Sequence, residues 1–359
     1  MLYTGSVQDC CKQLGRARQM EVFLMSDTQA SRIVLAKRPT GTPAQDCFRT
    51  ETVALGEPAD GQVLVKTRYL SVDPYMRGRM NDVKSYVPPY RLDEPISGGA
   101  ICEVIASRAS HLQPGDLVLT QTGWQTHALL AAEKVRKLDP VPQPVTLALG
   151  LLGMTGLTAY FGLIDICDPK PGETVVVSGA AGAVGMVVGQ IGKILGCRVV
   201  GIAGSDAKNR YLTEELGFDA AVNYKSPTFY EDLKRACPDG VDVYFDNVGG
   251  PVTDSVMKRI NDFARISVCG QISLYNLSEP DVGPRIAPIL LTRKAKMQGF
   301  IVGDYHARFP EGMAQLSKWY NDGKLKSEET IIKGFDRTIE AFLGLFTGIN
   351  TGKLIVEVE

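Results

Sequence analysis

Residues 175–196 read VVVSGAAGAVGMVVGQIGKILG, and few folds accommodate such a stretch. Val175, Val176 and Val177 read as a buried strand, six residues with almost no side chain follow, and the spacing predicts a helix over 183–195. Glycine stands at 185, 189, 192 and 196. Inside a helix each costs about 0.8–1 kcal/mol against alanine. All four fall on one helical stripe, a bare groove that lets backbone come within contact distance of a sheet or a ligand. Gly196 also suits the left-handed stop after a last turn. Gly182 stands where the helix opens, and the free N–H groups and positive dipole end there form a natural phosphate site. Ala180-x-Gly182-x-x-Gly185 is a variant of the dinucleotide-binding turn, with alanine at its first glycine position. A tight strand–helix turn without a ligand would look the same in isolation.

The neighbouring sequence decides between them. After strand 173–177 come strand 197–203, helix AKNRYLTEELG closed by Gly217, strand 219–224 and helix FYEDLKRAC. Strand 241–250, helix PVTDSVMKRI and strands 264–270 and 296–302 complete the run. Such alternation implies a doubly wound parallel sheet, with the glycine turn after its first strand. A site for NAD places an acid at the end of the second strand, yet that strand ends Ile202-Ala203-Gly204-Ser205. A small polar stretch followed by Lys208 suits a 2′-phosphate, and Asp206 suits the first turn of the next helix. The expected cofactor is NADP(H).

Residues 29–144 have another texture. DGQVLVKTRYLSVDP alternates apolar and polar, and ISGGAICEVIAS and PGDLVLTQTGWQTHALL follow, separated by Pro-Gly-Asp turns. This predicts a small β-barrel. The terminal strand GKLIVEVE needs a sheet to join, so 306–359 is expected to return to the first unit. The expected division is an extension over 1–28, a catalytic domain over 29–153 plus 306–359, and an inserted nucleotide-binding domain over 154–305, with the site in the cleft between them.

Lys+Arg at 39 against Asp+Glu at 40 argues against a nucleic-acid partner. Eight scattered cysteines, several within apolar strands, suit reduced thiols in the cytoplasm. VTLALGLLGMTGLTAYFGLI (145–164) carries no charge, but Gly153-Met154-Thr155-Gly156 interrupts it, so a buried linker helix is expected and no membrane span. Histidines at 111, 127 and 306 form no ligand cluster, and the first-domain strand reads Ser97-Gly98-Gly99-Ala100, so no metal is expected.

LSVDPYMRGRM (70–80), GMTGLTAYFGL (153–163), SGAAGAVG (178–185), YFDNVGG (244–250), CGQISLYN (269–276) and QGFIV (298–302) occur in this order. Together they resemble the zinc-free branch of the medium-chain dehydrogenases/reductases, which contains the prostaglandin, alkenal/one and curcumin reductases. The resemblance runs from about Ser31 to Val358 and implies an α/β fold, a Rossmann sheet inserted in a GroES-like β-barrel domain. It also implies NADPH-dependent reduction of the C=C bond of a small hydrophobic enone or alkenal, with hydride added at the β-carbon. Departures are Gly179 and Thr155, where many relatives carry alanine and proline.

The resemblance implies that Tyr275 stabilises charge collecting on the carbonyl oxygen and that Tyr75 stands on the substrate side. The alternatives are an aromatic filling a loop near the sheet's carboxyl edge for Tyr275 and a barrel-rim aromatic for Tyr75. Ala181, Gly182, Ala183 and Val184 would line the pyrophosphate, and Ser205, Lys208 and Tyr224 the 2′-phosphate and adenine. Asn247, Cys269, Gly270 and Tyr275, with Phe300, Ile301 and Val302, would frame the nicotinamide, and Asn350 would reach back from the returning segment. Alternatives stay open: Lys208 as a solvated charge, Asn247 as a turn former, and 300–302 as strand core. Arg77 and Arg79 could steer a carboxylate, though such a pair is more often solvated or salt-bridged. Competing functions are a quinone reductase and an NADP-binding redox sensor without turnover. Apolar strands 264–270 and 296–302 at one sheet edge predict a homodimer.

Overall fold

The computed structural model describes residues 28–359, so the extension expected over 1–28 lies, up to residue 27, outside the described residues. Strands β1 (Thr28–Leu35) and β2 (Phe48–Leu55) form an antiparallel pair. β3 (Gln62–Ser71), the short helix α1 (Tyr75–Arg79), β4 (Ala100–Ser107), β5 (Leu117–Thr120), β6 (His127–Ala131) and β7 (Arg136–Lys137) follow. The uncharged stretch 145–164 is broken as its glycines require. A 3₁₀ turn over Val145–Leu149 precedes α2 (Met154–Cys167), whose flanks are largely buried.

The parallel unit comprises β8 (Thr174–Ser178), α3 (Gly185–Ile194), β9 (Arg198–Ala203), α4 (Asp206–Arg210), β10 (Ala220–Asn223) and α5 (Phe229–Ala236). It continues through β11 (Val241–Asp246), α6 (Gly250–Met257), β12 (Ile260–Val268), α7 (Ala287–Arg293) and β13 (Lys296–Gly299). The strand order is β10-β9-β8-β11-β12-β13, parallel throughout. This doubly wound order puts the chain reversal, and hence the crevice, beside β8 and β11. Every residue of β8 is buried, as expected of a strand covered on both faces.

The glycine stripe of α3 is consumed by packing. A Cβ at Gly185 would run into the carbonyl of Gly179, one at Gly189 into the ring of Phe218, and one at Gly192 would stand 2.9 Å from Val199 of β9. Gly196 adopts φ +80°, the left-handed stop. Gly182 differs: its Cβ position meets only the Gly179 carbonyl, at 3.2 Å.

The segment 306–359 divides in its packing. Helix α8 (Phe309–Asn321) lies on α2, with Leu316 buried beside Leu157 and Phe161 and Gly312 seated against both. β14 (Glu329–Lys333) and β15 (Lys353–Glu357) instead join the first sheet, in the order β14-β15-β3-β4-β5-β7, with β6 also on β3 and α9 (Thr338–Leu345) packed nearby. The expected α/β class, a Rossmann sheet beside a separate β unit closed by the C-terminal strand, is observed.

Candidate active site

The loop that opens β15 crosses the carboxyl edge of the parallel sheet. Gly352 donates its N–H to the Ala181 carbonyl at 2.8 Å and bridges to Gly182. Lys208 Nζ donates to the Gly348 carbonyl at 2.8 Å. The returning segment therefore touches both the glycine turn and the end of β9. Among the described residues, the N–H groups of Ala183 and Val184 donate to no protein acceptor. They stand at the opening of a helix ten residues long, where unpaired amides face outward.

At the end of β9, Ser205 caps α4 by accepting the Lys208 N–H at 3.3 Å, and Asp206 accepts from Asn223 Nδ2 at 2.9 Å. Gly204 leaves room for the ring of Tyr224, which lies 2.8 Å from the Cβ position. Burial and, to a lesser degree, the Lys225 ammonium hold the Lys208 amine below its ordinary pKa. Ser205 and Lys208 thus stand at the start of α4, and Tyr224 packs beside them on Gly204.

A polar cluster is built on Asp246, the fully buried last residue of β11. Its carboxylate accepts six hydrogen bonds: from Ser178 Oγ, Tyr244 OH and the Val248 and Gly249 N–H groups on Oδ1, and from Thr253 Oγ1 and Gln271 Nε2 on Oδ2. Burial beside this carboxylate drives the Tyr244 phenol far above its ordinary pKa. Ser178 passes the order on, because its Oγ accepts the Asn247 N–H at 2.9 Å and its carbonyl accepts Asn247 Nδ2 at 2.8 Å. The Asp246 carbonyl accepts the N–H groups of Cys269 and Gly270.

Tyr275 belongs to the same cluster. Its Oη accepts the Gln271 N–H at 3.3 Å, beside Gly270, whose Cβ position lies 3.4 Å away. Burial pushes this phenol above its ordinary pKa, and the Gln271 N–H works in the opposite sense. The hydroxyl therefore keeps its proton at neutral pH and has it free to donate. Burial also pushes the Cys269 thiol up to about 12, which makes it a poor nucleophile.

Tyr75 opens α1, with its hydroxyl 3.9 Å from the Cβ position of Gly98. Burial, reinforced by the nearby Asp73 carboxylate, raises its phenol well above the ordinary value. The expectation that Arg77 and Arg79 would be solvated or salt-bridged fails for Arg77. It is 2% exposed, forms no ion pair among the described residues, and donates to Asn276 Oδ1, Asn81 Oδ1 and the Gly41 carbonyl at 3.0, 2.7 and 2.8 Å. Arg79 stacks 4.1 Å over the Tyr90 ring and donates to Ser97 Oγ.

The remaining positions separate. Phe300 is packed inward, its ring 6.3 Å from that of Phe245 and pressed on Gly162 of α2, and Val302 joins the same core. Ile301 between them is exposed. Asn350 lies in the returning loop, with its Nδ2 donating to the Gly352 carbonyl at 2.7 Å. Among the described residues, no group of three or more His, Cys, Asp or Glu is placed to hold a metal ion. Sequence reasoning missed Ser178, Asp246, Gln271, Asn276 and Gly352. Asp246 alone carried a local signal, a carboxylate ending an apolar strand.

Comparison with known proteins places this geometry. Residues 31–138 match the family described as the N-terminal domain of oxidoreductase, and residues 183–319 match the zinc-binding dehydrogenases. The chain is 57% identical over 329 residues to YfmJ of Bacillus subtilis, covering 91% of this chain and 97% of that protein. It is 45% identical over 332 residues to the NADPH-dependent curcumin reductase of Escherichia coli, covering 91% and 96%. The crystal structure of CurA from Vibrio vulnificus in complex with NADPH superposes with a TM-score of 0.88 at 44% identity, over 92% of this chain and 99% of that one. The chain belongs to the medium-chain dehydrogenase/reductase family of oxidoreductases, in the branch of the curcumin, prostaglandin and alkenal reductases.

Proposed function

We propose that this protein reduces the C=C bond of α,β-unsaturated ketones and aldehydes, with NADPH as its cofactor. When bound, NADPH supplies a hydride. The residues fit such a group: the unpaired N–H groups of Ala183 and Val184 and the bare Gly182 suit a diphosphate, with Ala181 beside them. Ser205, Lys208 and Tyr224 would hold the 2′-phosphate and adenine. Asn247, Cys269 and Gly270 would border the nicotinamide, with Ile301 and Val302 beyond them, Phe300 backing the wall and Asn350 entering from the returning loop.

The observation that carries the reading is the Gln271 N–H bond to Tyr275 Oη. With its oxygen already accepting, the Tyr275 O–H is left free to donate. As the β-carbon gains the hydride, the π pair shifts and negative charge develops on the carbonyl oxygen, where Tyr275 would hold it. Tyr75 would bound the substrate from the other side, and water would protonate the α-carbon. Curcumin is itself a conjugated ketone, and the relative named for reducing it is 45% identical to this chain over 332 residues.

We further propose a homodimer joined along β13, the outermost strand of the parallel sheet, beside which Phe263 and Leu291 lie exposed. Six free cysteines among the described residues suit a reducing compartment, and no described helix is long and apolar enough to cross a membrane. Light scattering that returns a monomer mass would reject the dimer.

The test of the reaction follows absorbance of the reduced nicotinamide in the presence of a simple enone. Wild-type protein should consume NADPH and yield the saturated ketone. Tyr275→Phe should lower kcat by about 10²–10³-fold, the usual effect of deleting one oxyanion donor, with NADPH affinity unchanged. An unchanged kcat removes Tyr275 from the chemistry, and no consumption of NADPH with any enone removes the reaction.

A further inference from the structure

We propose that Arg77 is a positioning residue for Tyr275, acting across the cleft through Asn276. The inference rests on the role given to Tyr275 above.

Arg77 is fully enclosed, and its guanidinium has no carboxylate within ion-pair reach among the described residues. A buried charge of this kind is destabilising unless its donors are met by well-placed acceptors. All three nitrogens are used. Nη1 reaches Asn81 Oδ1 and Nη2 the Gly41 carbonyl, both in the first unit, while Nε crosses to Asn276 Oδ1 at 3.0 Å. The planar fork directs three bonds at fixed angles, which a lysine could not reproduce. Asn276 follows Tyr275 directly, and Arg77 lies two residues after Tyr75. The Gly41 turn closes on the same point, its Cβ position 3.7 Å from the Asn276 carbonyl.

The other end of this short segment is tied in the same manner. Gln271 Nε2 donates to Asp246 Oδ2 at 2.9 Å, and Asp246 has no cationic partner among the described residues. The stretch 271–276 therefore hangs between a buried carboxylate and a buried guanidinium, each satisfied by neutral groups alone. Hydrogen bonds to ions are roughly twice as strong as neutral ones, so both ends are held firmly. Tyr275 sits on the span between them. Asp246 sets that span from the nucleotide-binding unit, and Arg77 sets it from the unit that carries Tyr75.

The experiment is a double-mutant cycle on the full chain, with NADPH and an enone. Asn276 is half-buried in a loop, so Asn276→Ala should fold. It should lower kcat about tenfold, the effect of losing one charge-assisted bond, and leave KM for NADPH near wild type, while the Arg77 Nε stripped of its acceptor lowers the thermal midpoint. In the Tyr275→Phe background the same change should alter kcat less than twofold, since a residue acting through Tyr275 has nothing left to position. Asn276→Asp, which keeps an acceptor oxygen for Arg77, should retain turnover. A wild-type kcat in Asn276→Ala, or losses that multiply in the double mutant, would overturn the inference. A crystal structure of Asn276→Ala gives a readout without activity. Tyr275 Oη should leave the Gln271 N–H, and a hydroxyl that stays in place refutes the positioning role even if the reduction reaction itself fails.

Discussion

Gly352 donates its N–H to the carbonyl of Ala181 at 2.8 Å, and so the last strand of the chain begins against the glycine turn that opens α3. The next residue, Lys353, is buried and donates to Asp73 Oδ1 at 3.0 Å, two positions before Tyr75. Two consecutive residues thus tie the nucleotide-binding edge to the helix on the facing side of the cleft.

Gly352 has φ +71°, and a Cβ there would run into the Glu328 carbonyl and stand 2.8 Å from Met186 Cε. Gly352→Ala should cost about 1–3 kcal/mol of stability in urea unfolding, the range for a forced backbone conformation. Because the displaced loop contacts Ala181, KM for NADPH should rise as well. Stability lost with KM unchanged would separate this loop from the cofactor.

The Lys353–Asp73 pair is almost wholly shielded, with side chains 3% and 6% exposed, and Ser71 Oγ donates to Asp73 as well. Lys353→Met would leave a buried carboxylate with its cation gone, a change worth about 3–5 kcal/mol. Adding Asp73→Asn should recover part of that loss. Chemical denaturation of the two single variants and the double checks both statements.

Lys208 should discriminate NADPH from NADH. Lys208→Gln should raise KM for NADPH about 10–100-fold, as expected for a lost charge-assisted bond, and hardly change KM for NADH. The pH dependence follows from the lowered pKa of its amine, caused first by burial and then by Lys225. The ammonium is present below that pKa and is lost as pH rises through it. Wild-type affinity for NADPH should therefore weaken at a lower alkaline pH than an ordinary lysine would give. The Gln variant should lack this weakening.

Asp246→Asn keeps the shape of the hub but turns an amide donor toward at least one of its six donors. Each donor stranded in this way costs about 1–3 kcal/mol. The variant should unfold at lower urea concentration, and because Gln271 loses its anchor, kcat should fall more than NADPH affinity. Equal losses in both would make Asp246 a purely structural group.

Much of this molecule is readable along the chain. The three valines before the glycine turn, the stripe on α3, Gly196 and Gly217 as helix stops, and the alternation of strands and helices all follow from local periodicity and backbone freedom. So does the absence of an acid at the end of β9, with Ser205 and Lys208 standing there instead. The stripe shows the limit of such reading: spacing announces close contact, yet Gly185, Gly189 and Gly192 are spent on protein packing, while Gly182 meets a single carbonyl at 3.2 Å. Phe300 shows it again, since an apolar strand end gives no sign of which way its ring will turn.

The sequence by itself determined the alternation of strands and helices and the place of the glycine turn, because each depends on residues a few positions apart. Only the tertiary structure decided that Arg77 meets Asn276, that Gly352 meets Ala181, that Lys353 meets Asp73 and that Asp246 meets Ser178 and Gln271. Those contacts join residues far apart in the chain, and side-chain direction at that range is set by how the two sheets pack, which no local spacing encodes.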